Sequence, residues 1–268
     1  MIHPTAVIDE AAQLGADVEV GPYAIIGPHV KLGDGCRVMG HTFLTGHVTM
    51  GPGNVIGFGS VIGADPQDFA FDPSTRSDVI IGAKNVFREY VTIHRGTAQD
   101  SSTVVGDGNY IMTGVHLGHN VRVGNRTVIA NNVLLAGYVE IGDQSVLGGG
   151  TVFHQFMRVG RLCMVRGGTR FGKDIPPFLL ADRTNVVTGL NSIGLRRAGL
   201  SAETRAELKR LFRLLFASGL NVSQALEMAE GQSWGSEARE MLQFVREAKK
   251  RGICRASVSA RGDSSADE

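Results

Sequence analysis

From Val105 onward an aliphatic or aromatic residue returns at every sixth position, through Ile111, Leu117, Val123 and on without a miss to Phe171. Such a period matches neither the 3.6-residue turn of a helix nor the alternation of a flat strand. Four places after each of these lies a second residue that is usually small or β-branched, such as Val115, Val121, Thr127 or Val133, and the place directly after is often Gly, as at Gly106, Gly118 and Gly124. The pattern predicts a short extended segment with one large and one small inward side chain, then a tight turn in which Gly eases unusual dihedrals. Three segments close a triangular coil of 18 residues. Stacked coils form a parallel β-helix, a repeat architecture in which each strand pairs with its equivalent one coil away.

The same period already runs from Ile2 to Ile62, breaks, and resumes at Ile81, Phe87 and Ile93 before a second, shorter break. Its apolar places amount to between eight and nine coils, a prism of about 40 Å at a strand spacing of ~4.8 Å. The β-helix is expected over residues 1–190, with loops at 64–80 and 96–104. The first loop carries Asp65, Gln67, Asp68 and Phe69 and is too long for a corner turn, so it reads as a wall or lid over a site, or as plain surface. The period stops near Ile175-Pro176-Pro177, where two prolines end a strand. A connecting segment leads to Gly199, after which the spacing turns helical: Ser201 caps a helix with Leu208, Leu211, Phe212 and Leu215 on one face. Gly219 ends it, a short helix follows over 222–229, and a third runs from 236 to 250. Residues 191–255 are thus a small helical domain, and 256–268, small and polar, read as a disordered tail.

Outward residues 18 apart share a column on one prism face. Tyr110, Val128, Val146 and Met164 make an apolar column. His116, Leu134, Val152 and Arg170 make a mixed one, and Arg122, Glu140 and Arg158 a charged one. An exposed apolar stripe is unusual for a monomer. A cyclic trimer with two faces of each prism buried accounts for it, and a helical domain folded over the stripe is the competing explanation.

Composition adds limits. A chain of 268 residues, 43% hydrophobic with net charge +1, describes a soluble globular protein with nothing to attract nucleic acid. No run of apolar residues is long enough for a membrane span, and no basic segment leads into an apolar one as in a secretory signal. Cys36, Cys163 and Cys254 lie far apart and read as buried free thiols of a cytoplasmic protein.

Candidate chemistry centres on histidine. His119 takes an outward place, with Gly137 one coil on and Gln155 two coils on, and His154 beside Gln155. An imidazole next to a bare backbone unit and polar side chains suits a general base, while interface histidines satisfied by hydrogen bonds are the plainer explanation. No thiol or serine is placed beside His119 for nucleophilic catalysis.

The strings IHRGT (93–97), HLGHNVRVGN (116–125), ANNVLLAG (130–137), VFHQFMRVG (152–160) and KDIPPF (173–178), the PQDF loop and the helical C-terminus resemble the hexapeptide-repeat UDP-N-acetylglucosamine acyltransferases that begin lipid A synthesis. The resemblance spans nearly the whole chain. It implies a left-handed β-helix, a homotrimer with sites in the clefts between subunits, and transfer of an (R)-3-hydroxyacyl chain from the phosphopantetheine of acyl carrier protein to the sugar 3-hydroxyl, with no other cofactor and no metal. It implies His119 as general base and Gly137 as the backbone unit that orients it and receives the oxyanion. Gln67, Asp68, His116, Tyr138, His154 and Gln155 would line the cleft, Asn191 and Arg197 the nucleotide end, and Arg166 and Gly167 the end of the acyl channel. The hexapeptide-repeat carbonic anhydrases, which hold a metal on three imidazoles, offer another use for His94, His116 and His119, but their ligand spacing of five differs from the three that separates His116 from His119. Asn120, Tyr138, Ala70 and Ala198 depart from the acyltransferase pattern, which leaves as alternatives a variant acceptor such as a 3-amino sugar nucleotide or a non-catalytic trimeric scaffold.

Overall fold

The computed structural model describes residues 1–248 and 250–257. Among the described residues, three sheets of nine, eight and eleven strands wrap one core, and apart from a terminal hairpin and its partner strand in the last, neighbours are parallel strands one coil apart. Register follows the 18-residue arithmetic, with His116 opposite Leu134 and Leu134 opposite Val152. Most strands are two residues long, as at His116–Leu117 and Leu134–Leu135, because the chain must turn after each large inward residue. Those inward residues, among them Leu117, Leu135, Phe153 and Phe171, are buried in one continuous cluster. Removing one large ring, as in Phe153→Ala, would cost about 3–5 kcal/mol through lost transfer energy and the cavity left behind.

The glycines work differently from expectation. The left-handed backbone falls three places after the large residue, at glycines such as Gly108, Gly114 and Gly150 and equally at non-glycine positions such as Asn120, Asn132, Tyr138 and Phe156. Directly after the large residue, several glycines are set by close approach of the next coil: a Cβ on Gly142 would lie 2.4 Å from the Arg161 nitrogen, and one on Gly118 2.9 Å from the Leu135 oxygen.

Inside the prism the small inward places carry a polar ladder. Asn85 Nδ2 donates to Asn54 Oδ1 and Asn109 Nδ2 to Asn85 Oδ1, both at 2.9 Å, and Thr127 Oγ1 donates to Asn109 Oδ1 at 2.7 Å. All four residues are buried. Pairing each amide with its neighbour removes the penalty of burying it.

The loops interrupt the strands over 65–77 and 95–101, the first inside its expected limits and the second beginning one residue and ending three residues earlier than expected. Beyond the prolines the chain makes a hairpin that the hexad pattern does not announce. Leu179–Arg183 pairs parallel to Met164–Val165 and antiparallel to Val186–Leu190, and the latter pairs with Arg255–Ala256. These strands are held by ordinary pairing, so no six-residue period marks them. Of the tail expected over 256–268, Ala256 pairs with Val187, and residues from 258 onward lie outside the described residues. The connecting segment contains a further short helix, α1 (Ser192–Arg197), capped by Asn191. Then come α2 (Ala202–Phe216) with Ser201 as cap, α3 (Val222–Glu230) with a capping box from Asn221 and Gln224, and α4 (Ser236–Glu247), three residues shorter than expected.

The helical domain packs on the end of the charged column, which is therefore only partly solvated, and the four residues of the apolar column are half-buried. Arg158 donates to Asp174 at 3.1 Å, stacks 4.3 Å over the Phe244 ring of α4 and donates to the Phe244 carbonyl. Arg161 bonds Glu240 of α4 at 2.8 Å. Burial pushes the Asp174 carboxyl above its ordinary value despite its bonds to Arg158. Cys36, Cys163 and Cys254 are buried free thiols, the last two pushed by burial to about 12. Among the described residues no helix is long and apolar enough to cross a membrane.

Candidate active site

A groove of about 310 Å³ opens on the face that carries His116, Leu134 and Val152. Its walls are Gln67 from the first loop, His94, His116, Gly118, His119, Ala136, Gly137, Phe153 and Gln155, together with Leu134 and Val152. Four coils in register thus bring together residues up to 88 positions apart in the chain.

At its centre the His119 ring lies against Gly137. A Cβ on Gly137 would sit 2.2 Å from Cε1 and 2.4 Å from Nε2, so no other residue fits there while the ring stays in place. The Gly137 carbonyl accepts from the Phe156 N–H at 3.0 Å, whereas among the described residues its own N–H has no acceptor. His119 Nδ1 lies 3.1 Å from Asn120 Oδ1. That oxygen also receives the Thr97 N–H at 3.1 Å and the Thr97 hydroxyl at 3.0 Å, and the Asn120 N–H donates to Thr103 Oγ1. Asn120 is buried. On the other side, Tyr138 stands edge-on to His119 at 5.3 Å and stacks on Phe156 at 4.9 Å.

His94 and His116, in the same groove, meet each other edge-to-face at 5.1 Å. His94 turns Nδ1 to the Asp65 carbonyl, and His116 Nδ1 meets Thr92 Oγ1 at 2.8 Å. Burial, with His94 and His119 nearby, pushes His116 down to about 4, so it is neutral at physiological pH. Among the described residues no set of three metal-ligating side chains converges.

The first loop owes its position to Arg95, a residue whose part the sequence did not announce. Its guanidinium is buried, donates to Asp65 Oδ1 at 2.9 Å, to Ser77 Oγ at 3.1 Å and to the carbonyls of Thr75 and Pro73, and stacks over Phe71 at 4.8 Å. Five points of attachment hold Gln67 over the groove. Asp68 instead caps its own turn by accepting the Ala70 N–H at 2.9 Å.

Other candidate residues lie outside this groove. His154 is exposed beside Gln155, with Nδ1 2.7 Å from Arg251, a residue of the segment after α4. Asn191 caps α1 through the Gly194 N–H and donates to the Leu162 carbonyl at 2.9 Å, and Arg197 is exposed at the end of that helix. Arg166 pairs with Asp182 of the hairpin at 3.0 Å. Next to it, Gly167 lies so near the preceding coil that a Cβ would meet the Gly149 oxygen at 2.8 Å.

Comparison with known proteins places this geometry. Residues 174–254 match the family model described as UDP N-acetylglucosamine O-acyltransferase, domain 2, and residues 11–46 and 102–137 match the bacterial transferase hexapeptide repeat. The chain is 52% identical to an acyl-(acyl-carrier-protein)–UDP-N-acetylglucosamine O-acyltransferase of Ralstonia nicotianae over 95% of its own length and 98% of the relative's. It is 47% identical to that of Paraburkholderia xenovorans, covering 95% and 99%. A solved UDP-N-acetylglucosamine acyltransferase from Bacteroides fragilis superposes with a TM-score of 0.91 at 39% identity, covering 95% and 100% of the two chains. One from Arabidopsis gives 0.86 at 31% identity, covering 95% and 100%.

Proposed function

The chain belongs to the UDP-N-acetylglucosamine O-acyltransferase family, and on that premise we infer that it moves an acyl group from acyl carrier protein to UDP-N-acetylglucosamine, the first step of lipid A synthesis. The donor is an (R)-3-hydroxyacyl thioester of the carrier's phosphopantetheine and the acceptor is the sugar 3-hydroxyl. His119 Nε2 takes the hydroxyl proton as the oxygen attacks the thioester carbon. The Gly137 N–H, which has no partner among the described residues, supports the oxyanion of the tetrahedral intermediate. Collapse breaks the carbon–sulfur bond, and the imidazolium returns its proton to the departing thiolate.

The observation that carries this reading is the His119 ring held against the bare Gly137 unit, with Nδ1 tied back to Asn120. Gln67, His116 and Gln155 are placed to bind substrate from the groove wall. Asp68, Tyr138 and His154 are assigned to its rim, Asn191 and Arg197 to the diphosphate end, where a guanidinium suits phosphate, and Arg166 and Gly167 to the far end of the acyl chain. These last residues stand away from the groove within one chain, so the complete site requires a neighbouring copy. The half-buried apolar column of Tyr110, Val128, Val146 and Met164 and the exposed Leu134 and Val152 support a trimer whose clefts form the sites. The test is turnover by His119→Ala with 3-hydroxyacyl carrier protein and UDP-N-acetylglucosamine, with product followed by mass spectrometry. Loss of product with an unchanged sedimentation coefficient is expected, and near-normal turnover would remove His119 from the mechanism.

A further inference from the structure

An amide, unlike a carboxylate, has one end that accepts and one that donates, so its effect on a neighbouring imidazole depends on which end is turned toward it. At Asn120 the choice is made by Thr97. The Thr97 backbone N–H can only donate, and it lies 3.1 Å from the same Asn120 atom that faces His119 Nδ1. Were the amide turned over, its NH2 would confront that N–H donor to donor. The atom is therefore the oxygen, and since an amide oxygen cannot donate, the hydrogen between it and His119 belongs to Nδ1. Nε2 is left bare, on the ring edge that lies over Gly137 in the groove.

The Thr97 hydroxyl, 3.0 Å from the same oxygen, also points its hydrogen there. Its own oxygen is then free to accept from the Tyr138 hydroxyl, 3.0 Å away. The hydrogens of Tyr138, Thr97 and His119 thus all run toward Asn120 Oδ1. We propose that Thr97 is a positioning residue, which fixes the tautomer of His119 by orienting the Asn120 amide, with Tyr138 holding the Thr97 hydroxyl in line. The inference rests on the reading of His119 as the base. It also gives Tyr138 a part in aligning that base.

The test is a double-mutant cycle on the full chain. Thr97→Pro removes the backbone N–H that sets the amide, whereas Thr97→Val keeps that N–H and removes only the hydroxyl. Thr97→Pro is expected to lower kcat about tenfold with little change in KM, the loss of one to two modest hydrogen bonds at the reacting centre, and Thr97→Val to lower it less. In an Asn120→Asp background either carboxylate oxygen accepts from Nδ1, so the same Thr97→Pro step costs under about threefold. Nitrogen-15 spectra of His119 should show Nδ1–H in the parent and in Thr97→Val, and a mixture of tautomers in Thr97→Pro. Equal penalties in the two backgrounds, or unchanged His119 spectra in Thr97→Pro, would overturn the proposal while leaving an inactive His119→Ala to support the base. If Thr97→Pro fails to fold, Thr97→Val still decides: a retained Nδ1–H supports the proposal, and a mixture of tautomers with the N–H intact overturns it.

Discussion

His119 and Gly137 are 18 residues apart and in contact: the imidazole of one occupies the volume in which the other would carry a side chain. Gly137 is not among the residues with left-handed backbone, so the coil itself would accept alanine there. Gly137→Ala is therefore expected to leave folding nearly intact and to push the ring out of line. A displacement of about 1 Å costs on the order of 100-fold in rate. Steady-state kinetics with a thermal unfolding scan check this, and full activity in the variant would show that the ring does not need that space.

Arg95 should be as costly to the loop as Gly137 is to the base. Arg95→Met would strip the donors from Asp65, Ser77 and the carbonyls of Pro73 and Thr75. A loss of about 3 kcal/mol is expected, with faster proteolysis within 65–77 and a raised KM as Gln67 loses its support. Urea denaturation and limited digestion measure both, and an unchanged digestion rate would contradict the clamp.

The acid side of the stability profile should carry the signature of His116. Its value in the folded chain, about 4, lies below the ordinary 6.5. Between these the unfolded chain binds a proton that the folded one refuses, so stability falls as pH drops from about 6.5 to about 4 and is unaffected above that window. His116→Gln removes this part of the slope. Melting curves across that range for both proteins decide the matter, with parallel profiles counting against it.

If copies of the chain meet on the apolar column of Tyr110, Val128, Val146 and Met164, a charge there should separate them. Val146→Glu places a carboxylate between Val128 and Met164 in that column. Sedimentation velocity is expected to show a shift from trimer to monomer with loss of turnover, while circular dichroism keeps its β signature. An unaltered trimer would move the interface elsewhere.

The fold was legible because the period itself encodes it: a large inward residue every sixth place, turned through three sides, fixes which residues become neighbours. That arithmetic also brought His119, Gly137 and Gln155 onto one groove. It was silent where contacts do not repeat. The hairpin of Leu179–Arg183 and Val186–Leu190 pairs by ordinary ladders and has no period. Arg95 and Thr97 stood in the IHRGT string, but nothing in spacing tells that one anchors a loop and the other faces an amide 23 residues on. The reason for the glycines was likewise hidden, since close approach of a coil 18 residues away leaves no local mark.

The buried run of Asn54, Asn85, Asn109 and Thr127 works as a vernier for the chain during assembly. Each amide oxygen in the run accepts from the layer that follows, through both a side chain and a backbone N–H, so a layer laid down one hexad out of step would enclose that oxygen without its donors. Whole layers can be added or lost in the course of evolution at little cost beyond this run; a fraction of a layer cannot.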